Sequence, residues 1–362
     1  MKILVISNFR SIVTVRPEAE IFIGLAKKGH DITVMTYEDS EYIPRLKEHG
    51  INVIPFHPSK KRDKESIVFI REELIKGDYD IFQMYNSLAY FNGVPAAKGL
   101  PVKVILYRGY TGNIAWYDPF IYLKYFNRRV DAVICNVKAI EELFRKHSFS
   151  NRIIFKTINK GHEVSWYQVD EKADLSEYTQ NTDNVKFICT ANDRKMKGLK
   201  YLLKATHYLE KDAPFELFLA GNNMDRPEFL KLINESPVKD KIHILGFRKD
   251  ILEVENNCDV FVLASLYGES ITKAAIEAMA LGKAPLITDI PGNKKLVVSG
   301  ESGIVVPKAN AKALADGMKQ YIYNPELITQ YGKAAQNRIQ TVFHTSKTVE
   351  EYEKFYQELI SV

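Results

Sequence analysis

The chain has 362 residues, of which 46% are hydrophobic and 26% charged, a composition typical of a folded globular protein and unlike that of a disordered one. Its length favours two domains, because a single hydrophobic core seldom grows beyond about 250–300 residues. No run of about 18 apolar residues is present, so no membrane-spanning helix is predicted. The isolated cysteines Cys135, Cys189 and Cys258 fit neither a disulfide framework nor a zinc motif.

The net charge of +5 is unevenly distributed along the chain. Residues 1–160 carry 25 Lys and Arg against 17 Asp and Glu, a net charge of +8, whereas the remainder carries 25 against 28, a net charge of −3. A basic first half favours an acidic partner, such as a phosphorylated substrate or an anionic membrane surface, over nucleic acid. A solvated basic face is the alternative.

Short apolar strands alternate with helical segments along the first half. The first segment, MKILVISNF, lacks the apolar core and cleavage site of a signal peptide, so we interpret it as a buried strand and expect a cytoplasmic location. The helix RPEAEIFIGLAKKGH has Pro17 near its start and Gly29 at its end. Further strands are DITVMTY, INVIPF, DIFQMYN, VKVILYRG and DAVICNV. This alternation predicts parallel βαβ units.

The same alternation restarts after a polar segment at residues 160–184. Its strands are VKFICTA, FELFLAG, KIHILGF, DVFVLAS and APLITD, with GLKYLLKATHYLEK and ITKAAIEAMALG among the helices. The predicted fold class is α/β, with two facing, doubly wound, Rossmann-like domains at 1–160 and 161–340. A C-terminal helix at 341–362 is expected to pack back across them. Ligands of such sheets bind outside the carboxyl ends of the strands, which predicts a site in the cleft between the domains.

Two glutamates, Glu269 and Glu277, lie eight positions apart in YGESITKAAIEAMALG. A helix that begins near Ile271 or Thr272 and ends at Gly282 would open toward the cleft, where its free amide groups favour an anion such as a diphosphate. Eight helical residues span about 12 Å, the reach of a sugar–diphosphate–ribose unit whose hydroxyls carboxylates can bind. The alternative is a solvated loop residue at 269 and a partly exposed helix residue at 277.

This stretch resembles the E-x7-E signature of nucleotide-sugar glycosyltransferases of the GT-B fold, specifically the large retaining family 4. The resemblance covers nearly the whole chain and is strongest at residues 185–307, through DVFVLAS, GES, IEAMALGKAPLIT and GIVVP. It implies that Glu269 contacts the donor sugar and Glu277 the nucleotide ribose. It also implies that backbone amides hold the diphosphate at Ser270, Ile271 and Thr272.

A second match, ANDRKMKGLKYLL, resembles the Arg-then-Lys-Gly element of the same family. It implies that Arg194 and Lys197 neutralise the diphosphate and the charge that develops as the nucleotide leaves. With Glu269, they are the expected catalytic residues. A solvated basic loop is the alternative. GFRKDI resembles the loop near the nucleotide base, where Phe247 and Arg248 are expected to contact the base.

The first domain departs from the family pattern. SNFRSIVTVRPE replaces a Gly-rich loop, which leaves Arg10 and Arg16 either as phosphate contacts or as solvated side chains. Many relatives have a His after a central strand, but ILYRGYTGN places Arg108 and Gly109 there. Arg108 would bind sugar, phosphate or acceptor, or else pair with an acid. Four more residues cluster at strand ends on the expected acceptor side: Asn86, Tyr107, Tyr110 and Asn113.

Several further features have both a functional and a structural interpretation. His162 in GHEVSWY either faces the cleft or is structural. Asp78 and Asp80 form the D-x-D pattern that binds metal in the other main glycosyltransferase fold, but we interpret them as an ordinary strand entry. No metal or cofactor is expected, because GT-B enzymes generally use a helix dipole and basic residues instead. SKKRDKE and FIYLKYFNRR suit a membrane surface, or in the second case an ordinary amphipathic helix.

Together these features predict a retaining glycosyltransferase that moves a sugar from a nucleotide-diphosphate-sugar donor to a hydroxyl of a glycan or lipid-linked acceptor. Cell-surface polysaccharide or glycolipid synthesis is the expected setting, with peripheral association at the inner membrane face through the basic first domain and no nucleic-acid partner. A nucleotide-sugar epimerase of the same fold and a non-catalytic sugar-binding protein are the alternatives. A dinucleotide oxidoreductase is disfavoured, since no G-x-G-x-x-G follows any strand.

Overall fold

The structure is a computed structural model that describes residues 1–110, 114, 117–149, 151–179, 181, 183–268, 270–293 and 295–361. The chain divides into two compact units. The first comprises Met1–Gly161 together with Phe343–Val362, and the second comprises His162–Val342. The domain divisions predicted from the sequence are 160/161 and 340/341. The last helix of the chain therefore belongs to the same unit as the first strand.

The first unit contains a parallel sheet of seven strands in the order β3-β2-β1-β4-β5-β6-β7. Strands β1, β4 and β6 are flanked on both sides, and their apolar residues are buried on both faces because helices cover the sheet. The strands are β1 (Lys2–Ile6), β2 (Asp31–Thr36), β3 (Asn52–Pro55), β4 (Ile81–Met84), β5 (Lys103–Arg108), β6 (Ala132–Cys135) and β7 (Ile154–Thr157). The helices are α1 (Ile12–Lys27), α2 (Ile43–Glu48), α3 (Lys64–Gly77), α4 (Ser87–Ala96), α5 (Pro119–Leu123), α6 (Lys138–His147) and α13 (Thr345–Ile360).

The second unit repeats this plan with six parallel strands in the order β10-β9-β8-β11-β12-β13. The strands are β8 (Val185–Thr190), β9 (Phe215–Ala220), β10 (Ile242–Gly246), β11 (Val260–Leu263), β12 (Ala284–Thr288) and β13 (Ile304–Val306). The helices are α7 (Leu199–Ala205), α8 (Pro227–Asn234), α9 (Ile251–Asn256), α10 (Lys273–Ala280), α11 (Ala311–Tyr323) and α12 (Pro325–Thr341). The strand order reverses between β8 and β11, and such a reversal opens a crevice at the carboxyl ends of the two strands.

Some helix bounds differ from those predicted. Helix α1 begins at Ile12, so Pro17 lies inside the helix and not near its start. The predicted helix GLKYLLKATHYLEK is shorter, because α7 ends at Ala205 and a single 3₁₀ turn follows. Thr206 in that turn donates its hydroxyl to the carbonyl of Leu203 at 2.7 Å. Such a side-chain bond competes with continuation of the helix.

The C-terminal helix α13 packs against α1 in the core of the first unit. Its apolar face buries Val349, Tyr352, Phe355, Tyr356 and Leu359. Gly24 of α1 permits the close approach, since a Cβ atom at this position would lie only 2.4 Å from Cγ2 of Val349. Val349 has a branched, stiff side chain and is 4% exposed, so it has little room to move away.

We expect Gly24→Ala to destabilise the protein, although alanine is favoured over glycine in an exposed helix by about 1 kcal/mol. Overpacking of this kind typically costs about 1–3 kcal/mol. Urea denaturation would measure the change in the free energy of unfolding. The matched comparison is the same substitution in a Val349→Ala background, where the added methyl group has space. An equal loss of stability in both backgrounds would show that α13 does not press on Gly24.

Candidate functional site

A pocket of about 340 Å³ lies in the second unit at the carboxyl edge of its sheet. It is bounded by the end of β8 and the following loop, the end of β9, the loop between β10 and α9, and the start of α10. The lining residues are Thr190, Ala191, Asn192, Arg194, Lys197, Ala220, Gly221, Phe247, Arg248, Ile251, Ile271, Thr272, Lys273 and Ala274. Six residues that the sequence places in a ligand site, four from the loops and two before α10, thus share one pocket.

The basic loop after β8 is held in a fixed conformation against the neighbouring strand. The amide of Lys197 donates to the carbonyl of Arg194 at 2.7 Å, which closes a tight turn. Gly198 follows with a φ of +67°, and a Cβ atom there would lie 2.0 Å from the carbonyl oxygen of Ala264, just after β11. Only glycine tolerates both the conformation and the contact. The turn therefore directs two cations into the pocket, and Arg194 also borders a larger neighbouring pocket of about 720 Å³.

The start of α10 forms the opposite wall. Thr272 is the N-cap residue, but its side chain does not cap its own helix. Its Oγ1 is buried and has no hydrogen-bond partner among the described residues. An unsatisfied buried hydroxyl is costly, whereas the unpaired amides of a helix start attract anions. Ile271 also lines the pocket and Ser270 precedes it; Glu269 lies outside the described residues.

Glu277 lies one turn along α10 and is only 8% exposed. Its carboxylate pairs with the ammonium group of Lys273, four residues earlier on the same helix face. This pairing explains why a helix of small apolar residues can carry a carboxylate, because a buried charge requires a partner. The sequence interpretation missed Lys273, which lines the pocket. The i, i+4 spacing was the available signal.

The loop after β10 contributes an aromatic and a basic side chain. The ring of Phe247 is 65% exposed at the pocket edge. Arg248 donates from Nε and Nη2 to the two carboxylate oxygens of Asp250, at 2.9 and 2.7 Å. These hydrogen bonds from Arg248 hold the pKa of Asp250 below its ordinary value. Phe247 therefore presents a face for stacking, while Arg248 is already oriented by a fork-shaped ion pair.

Two family models match the chain in succession. The model described as "Glycosyltransferase Family 4" matches residues 19–156, and that described as "Glycosyl transferases group 1" matches residues 170–338. The chain belongs to glycosyltransferase family 4. The predicted enzyme class, a glycosyltransferase, is confirmed by these matches and by named relatives.

Three similar proteins illustrate the relationship. An uncharacterized glycosyltransferase of Methanocaldococcus jannaschii is 26% identical over 242 residues, which are 65% of this chain and 60% of that protein, so the match spans less than two thirds of its length. The N,N'-diacetylbacillosaminyl-diphospho-undecaprenol alpha-1,3-N-acetylgalactosaminyltransferase of Campylobacter jejuni is 29% identical over 361 residues, 93% of each chain. The crystal structure of Anabaena HepE in complex with UDP superimposes with a TM-score of 0.74 at 18% identity and covers 99% of this chain and 100% of that one.

The fold predicted for this glycosyltransferase, GT-B with two Rossmann-like domains, is confirmed by the two parallel sheets and by the structural similarity. Among the described residues, no helix combines the length and apolar character needed to cross a bilayer. One further relative, from Staphylococcus aureus, is named a capsular polysaccharide biosynthesis glycosyltransferase.

Most of the predicted contacts of the first domain that the structure describes lie near strand ends of the first unit, whereas Arg16 lies in α1. Arg108 is 4% exposed, and it donates to the carbonyl of Tyr110 at 2.9 Å and the hydroxyl of Tyr125 at 3.2 Å. Gly109 follows it. Arg10 pairs with Asp39 at 2.8 Å on the exposed surface. Arg16 has interaction partners, and Asn86 caps α4. Tyr107 is buried and Tyr110 is half exposed. Asn113 lies outside the described residues.

His162 and Asp80 of the D-x-D pattern contact other groups of the protein. His162 is 7% exposed and its Nδ1 lies 2.7 Å from the hydroxyl of Tyr167. Asp78 ends α3 in the left-handed conformation, and Asp80 accepts a hydrogen bond from the backbone amide of Lys2 at 2.7 Å. The aspartates thus connect α3 and β1 to the entry of β4. Among the described residues, no group of three acidic, His or Cys side chains is arranged to hold a metal ion.

Glu255 on α9 is a second buried carboxyl group near Glu277, and the sequence analysis did not identify it. It is 0% exposed, and one oxygen accepts a hydrogen bond from the hydroxyl of Thr190 at 2.7 Å. Its Oε2 has no hydrogen-bond partner among the described residues. Burial, and then the charge of Glu277, raise the pKa of Glu255 to about 8, while Lys273 and Lys283 act in the opposite sense. This carboxyl group is therefore mainly neutral at pH 7.

We expect Glu255→Gln to become progressively more stable than the native chain as the pH rises from 5 to 8. In that range the unfolded state has lost the proton, with its ordinary pKa of 4.5, while the folded state retains it. Folding then takes up a proton, so the stability of the native chain falls by up to about 1.4 kcal/mol per pH unit. Glutamine does not titrate and avoids this loss.

Urea denaturation at several pH values would measure this difference. Glu253→Gln, on the same helix, is the matched control and should show the pH dependence of the native chain. Parallel pH profiles for Glu255→Gln and the native chain would mean that Glu255 is ionised when buried.

Proposed function

We propose that this protein is a retaining glycosyltransferase that uses a uridine-diphosphate sugar as donor and a lipid-linked glycan as acceptor. The support for uridine is the UDP bound to the structurally similar HepE. The support for a lipid-linked acceptor is the Campylobacter relative, whose name specifies a diphospho-undecaprenol substrate and an alpha-1,3 product. Nucleotide-activated hexosamines are generally α anomers, so an α-linked product favours retention of configuration.

The observation that carries this proposal is the convergence of the basic turn and the start of α10 on one pocket. Arg194 and Lys197 supply positive charge, and the N-terminal amides of α10 supply unpaired donors. Thr272 adds a hydroxyl that has no partner among the described residues. These three kinds of donor suit the several oxygen atoms of a diphosphate.

The remaining residues suit the two ends of the donor. Glu277 would accept hydrogen bonds from the ribose hydroxyls, with Lys273 holding its carboxylate in place. The exposed ring of Phe247 and the oriented guanidinium group of Arg248 would contact the base. By resemblance to the family, Glu269 would contact the transferred sugar, and Ser270, Ile271 and Thr272 would contribute backbone amides to the diphosphate.

The proposed reaction breaks the bond between the sugar C1 atom and the diphosphate oxygen and forms a bond from C1 to the acceptor oxygen on the same face. The departing phosphate takes the acceptor proton. Arg194, Lys197 and the start of α10 would stabilise the negative charge that grows on this phosphate. Donors placed in advance for a developing charge are usually the largest contribution to catalysis.

We expect UDP to raise the melting temperature of the native protein by several degrees, since a ligand that binds only the folded state stabilises it.

Glu277→Ala should weaken binding of both uridine and UDP, because both contain the ribose. The double variant Arg194→Ala/Lys197→Ala should weaken UDP by about tenfold or more, the value of one or two charge-assisted hydrogen bonds, and leave uridine unaffected. Thermal shift and calorimetric titration would measure these effects, with GDP, ADP and CDP as competitors.

Lys195→Ala is the matched control, since Lys195 occupies the same turn but lines the neighbouring pocket and not the proposed donor pocket. It should leave the affinity for UDP nearly unchanged. A folded protein that binds none of the nucleotides would contradict the donor-site assignment and favour a binding protein for another ligand. Binding of UDP-sugar with interconversion of the sugar, and no transfer, would favour the epimerase.

An exposed surface of the first unit supports peripheral association with an anionic membrane. We call it the aromatic–basic face, defined by Tyr122, Phe126, Arg128, Phe149 and Arg152, which line a shallow pocket of about 550 Å³. Phe149 is 81% exposed. Arg128 also lines a second, largely apolar pocket of about 590 Å³. Exposed aromatic rings beside cations are typical of a surface that lies in the headgroup region.

We expect the protein to bind vesicles that contain phosphatidylglycerol more tightly than vesicles of phosphatidylcholine alone. Phe149→Ser should weaken both interactions, because it removes apolar area, whereas Arg128→Ser should weaken only the first, by about fivefold for a loss of about 1 kcal/mol per cation. Vesicle sedimentation would measure the bound fraction. The control is Tyr208→Ser, an aromatic residue 52% exposed on the second unit. Equal binding to both vesicle types would contradict electrostatic docking.

A further inference from the structure

Glu255 lies directly behind the pocket that the proposed function assigns to the donor. It is four residues after Ile251, which lines the pocket from the same helix, and residues four apart share one helix face. Its Oε1 accepts a hydrogen bond from Thr190, which also lines the pocket. The carboxyl group therefore touches the pocket wall from the protein interior, where water does not reach it.

The charged groups around Glu255 come from the elements packed against α9. Helix α10 contributes Lys273 and Glu277, which form an ion pair with each other. Lys283, after α10, donates to the carbonyl of Asn256 at 2.8 Å. Asp259 lies at the exit of α9, and the buried Cys258 beside it is a neutral thiol, because burial raises its pKa. Lys273 is therefore paired with Glu277, and Lys283 interacts with the charge of Asp259. Neither lysine is paired with Glu255 alone.

A charge on Glu255 would act on the pocket in two ways. It would attract Lys273 away from Glu277, which would loosen the carboxylate that is expected to hold the ribose. It would also place a negative charge behind a pocket that is expected to bind a diphosphate, in an interior where charges interact over a longer range than in water. Both effects oppose donor binding, whereas the neutral carboxyl group preserves the pairing of Lys273 with Glu277.

We propose that Glu255 is a positioning residue for the donor: it orients Thr190 through their hydrogen bond, and in its protonated form it leaves the Lys273–Glu277 pair intact, so that loss of its proton weakens binding of the nucleotide. This inference rests on the proposed function, because it takes the pocket to be the donor site. It adds a residue that contacts the wall of the pocket and a dependence of donor binding on pH. The unpartnered Oε2 atom supports it, since a buried carboxylate that has a hydrogen bond to only one of its oxygens is disfavoured.

The test is calorimetric titration of UDP between pH 6.5 and pH 9 with the native protein, Glu255→Gln and Glu253→Gln. At pH 7 the native protein and Glu255→Gln should bind UDP equally, because glutamine resembles the protonated acid. At pH 9 the native protein should bind about tenfold more weakly than Glu255→Gln, since only about a tenth of it retains the proton if the pKa is about 8. Ionisation of UDP itself cancels in this ratio. Glu253→Gln should follow the native protein.

A second variant separates positioning from mere structural support. The hydrogen bond from Thr190 favours the ionised form of Glu255 and so lowers its pKa. Thr190→Val removes this bond and should therefore move the midpoint of the pH profile upward, whatever it does to the affinity at pH 7. A substitution that only loosened the fold would lower the affinity without moving the midpoint.

Three results would overturn the inference. One is a pH profile of Glu255→Gln that matches the native protein, and another is an equal loss of affinity by Glu255→Gln at every pH, which would mean that the charge itself is required. The third is an unchanged midpoint in Thr190→Val. If the native protein fails to bind UDP at pH 7, the proposed donor is wrong, and this inference is rejected with it. Binding by the native protein separates the two cases.

Discussion

The pairing of β8 with β11 is the constraint on which the site depends. These strands are neighbours in the sheet but not in the chain, and they align Phe187 with Val260 and Ile188 with Phe261. The chain leaves them in different directions, so the loop after β8 and the segment before α10 separate and leave a crevice between them. The close contact of Gly198 with the carbonyl of Ala264 then holds the basic turn against the exit of β11. Positive charge and helix amides meet there for this reason.

The charged and titratable groups in and around the pocket differ in how deeply they are buried. Arg194 is exposed at the rim, where its charge stays in contact with water and has little desolvation cost. Glu277 is buried outside the pocket lining, and its lysine partner lines the pocket. Glu255 is deepest and is neutral, because burial raises its pKa to about 8. A site with cations at the mouth and no uncompensated anion in its wall is suited to a ligand with two or more negative charges.

The strand ends of the two units differ in their chemistry. In the first unit, polar residues at this edge bond to one another. The carboxylate of Glu18 pairs with Lys160 at 2.8 Å, Asn86 donates to His57 at 2.9 Å, and Arg108 is held by tyrosines. In the second unit, the hydroxyl of Thr272 has no partner among the described residues.

The sequence by itself determined the fold class, the family and six of the residues that line the pocket. Apolar runs of five or six residues, separated by helical segments, specify a parallel sheet because strands buried on both faces must be apolar throughout. The family match identified Arg194, Lys197 and Thr272, since local motifs are contiguous in the chain. Helix ends were less predictable: a side-chain hydrogen bond at Thr206 ended α7 before its periodic pattern did.

Only the tertiary structure decided which charged residues have partners and which groups are neutral. Nothing in the sequence around Glu255 distinguishes it from Glu253, two residues earlier. Yet Glu255 is fully buried beside Thr190, whereas Glu253 is partly exposed. Likewise, the sequence around Arg108 allowed its side chain to be assigned either to a ligand or to an internal partner. The protonation state of a carboxyl group depends on burial and on charges that come from other segments, and those distances exist only once the chain is folded.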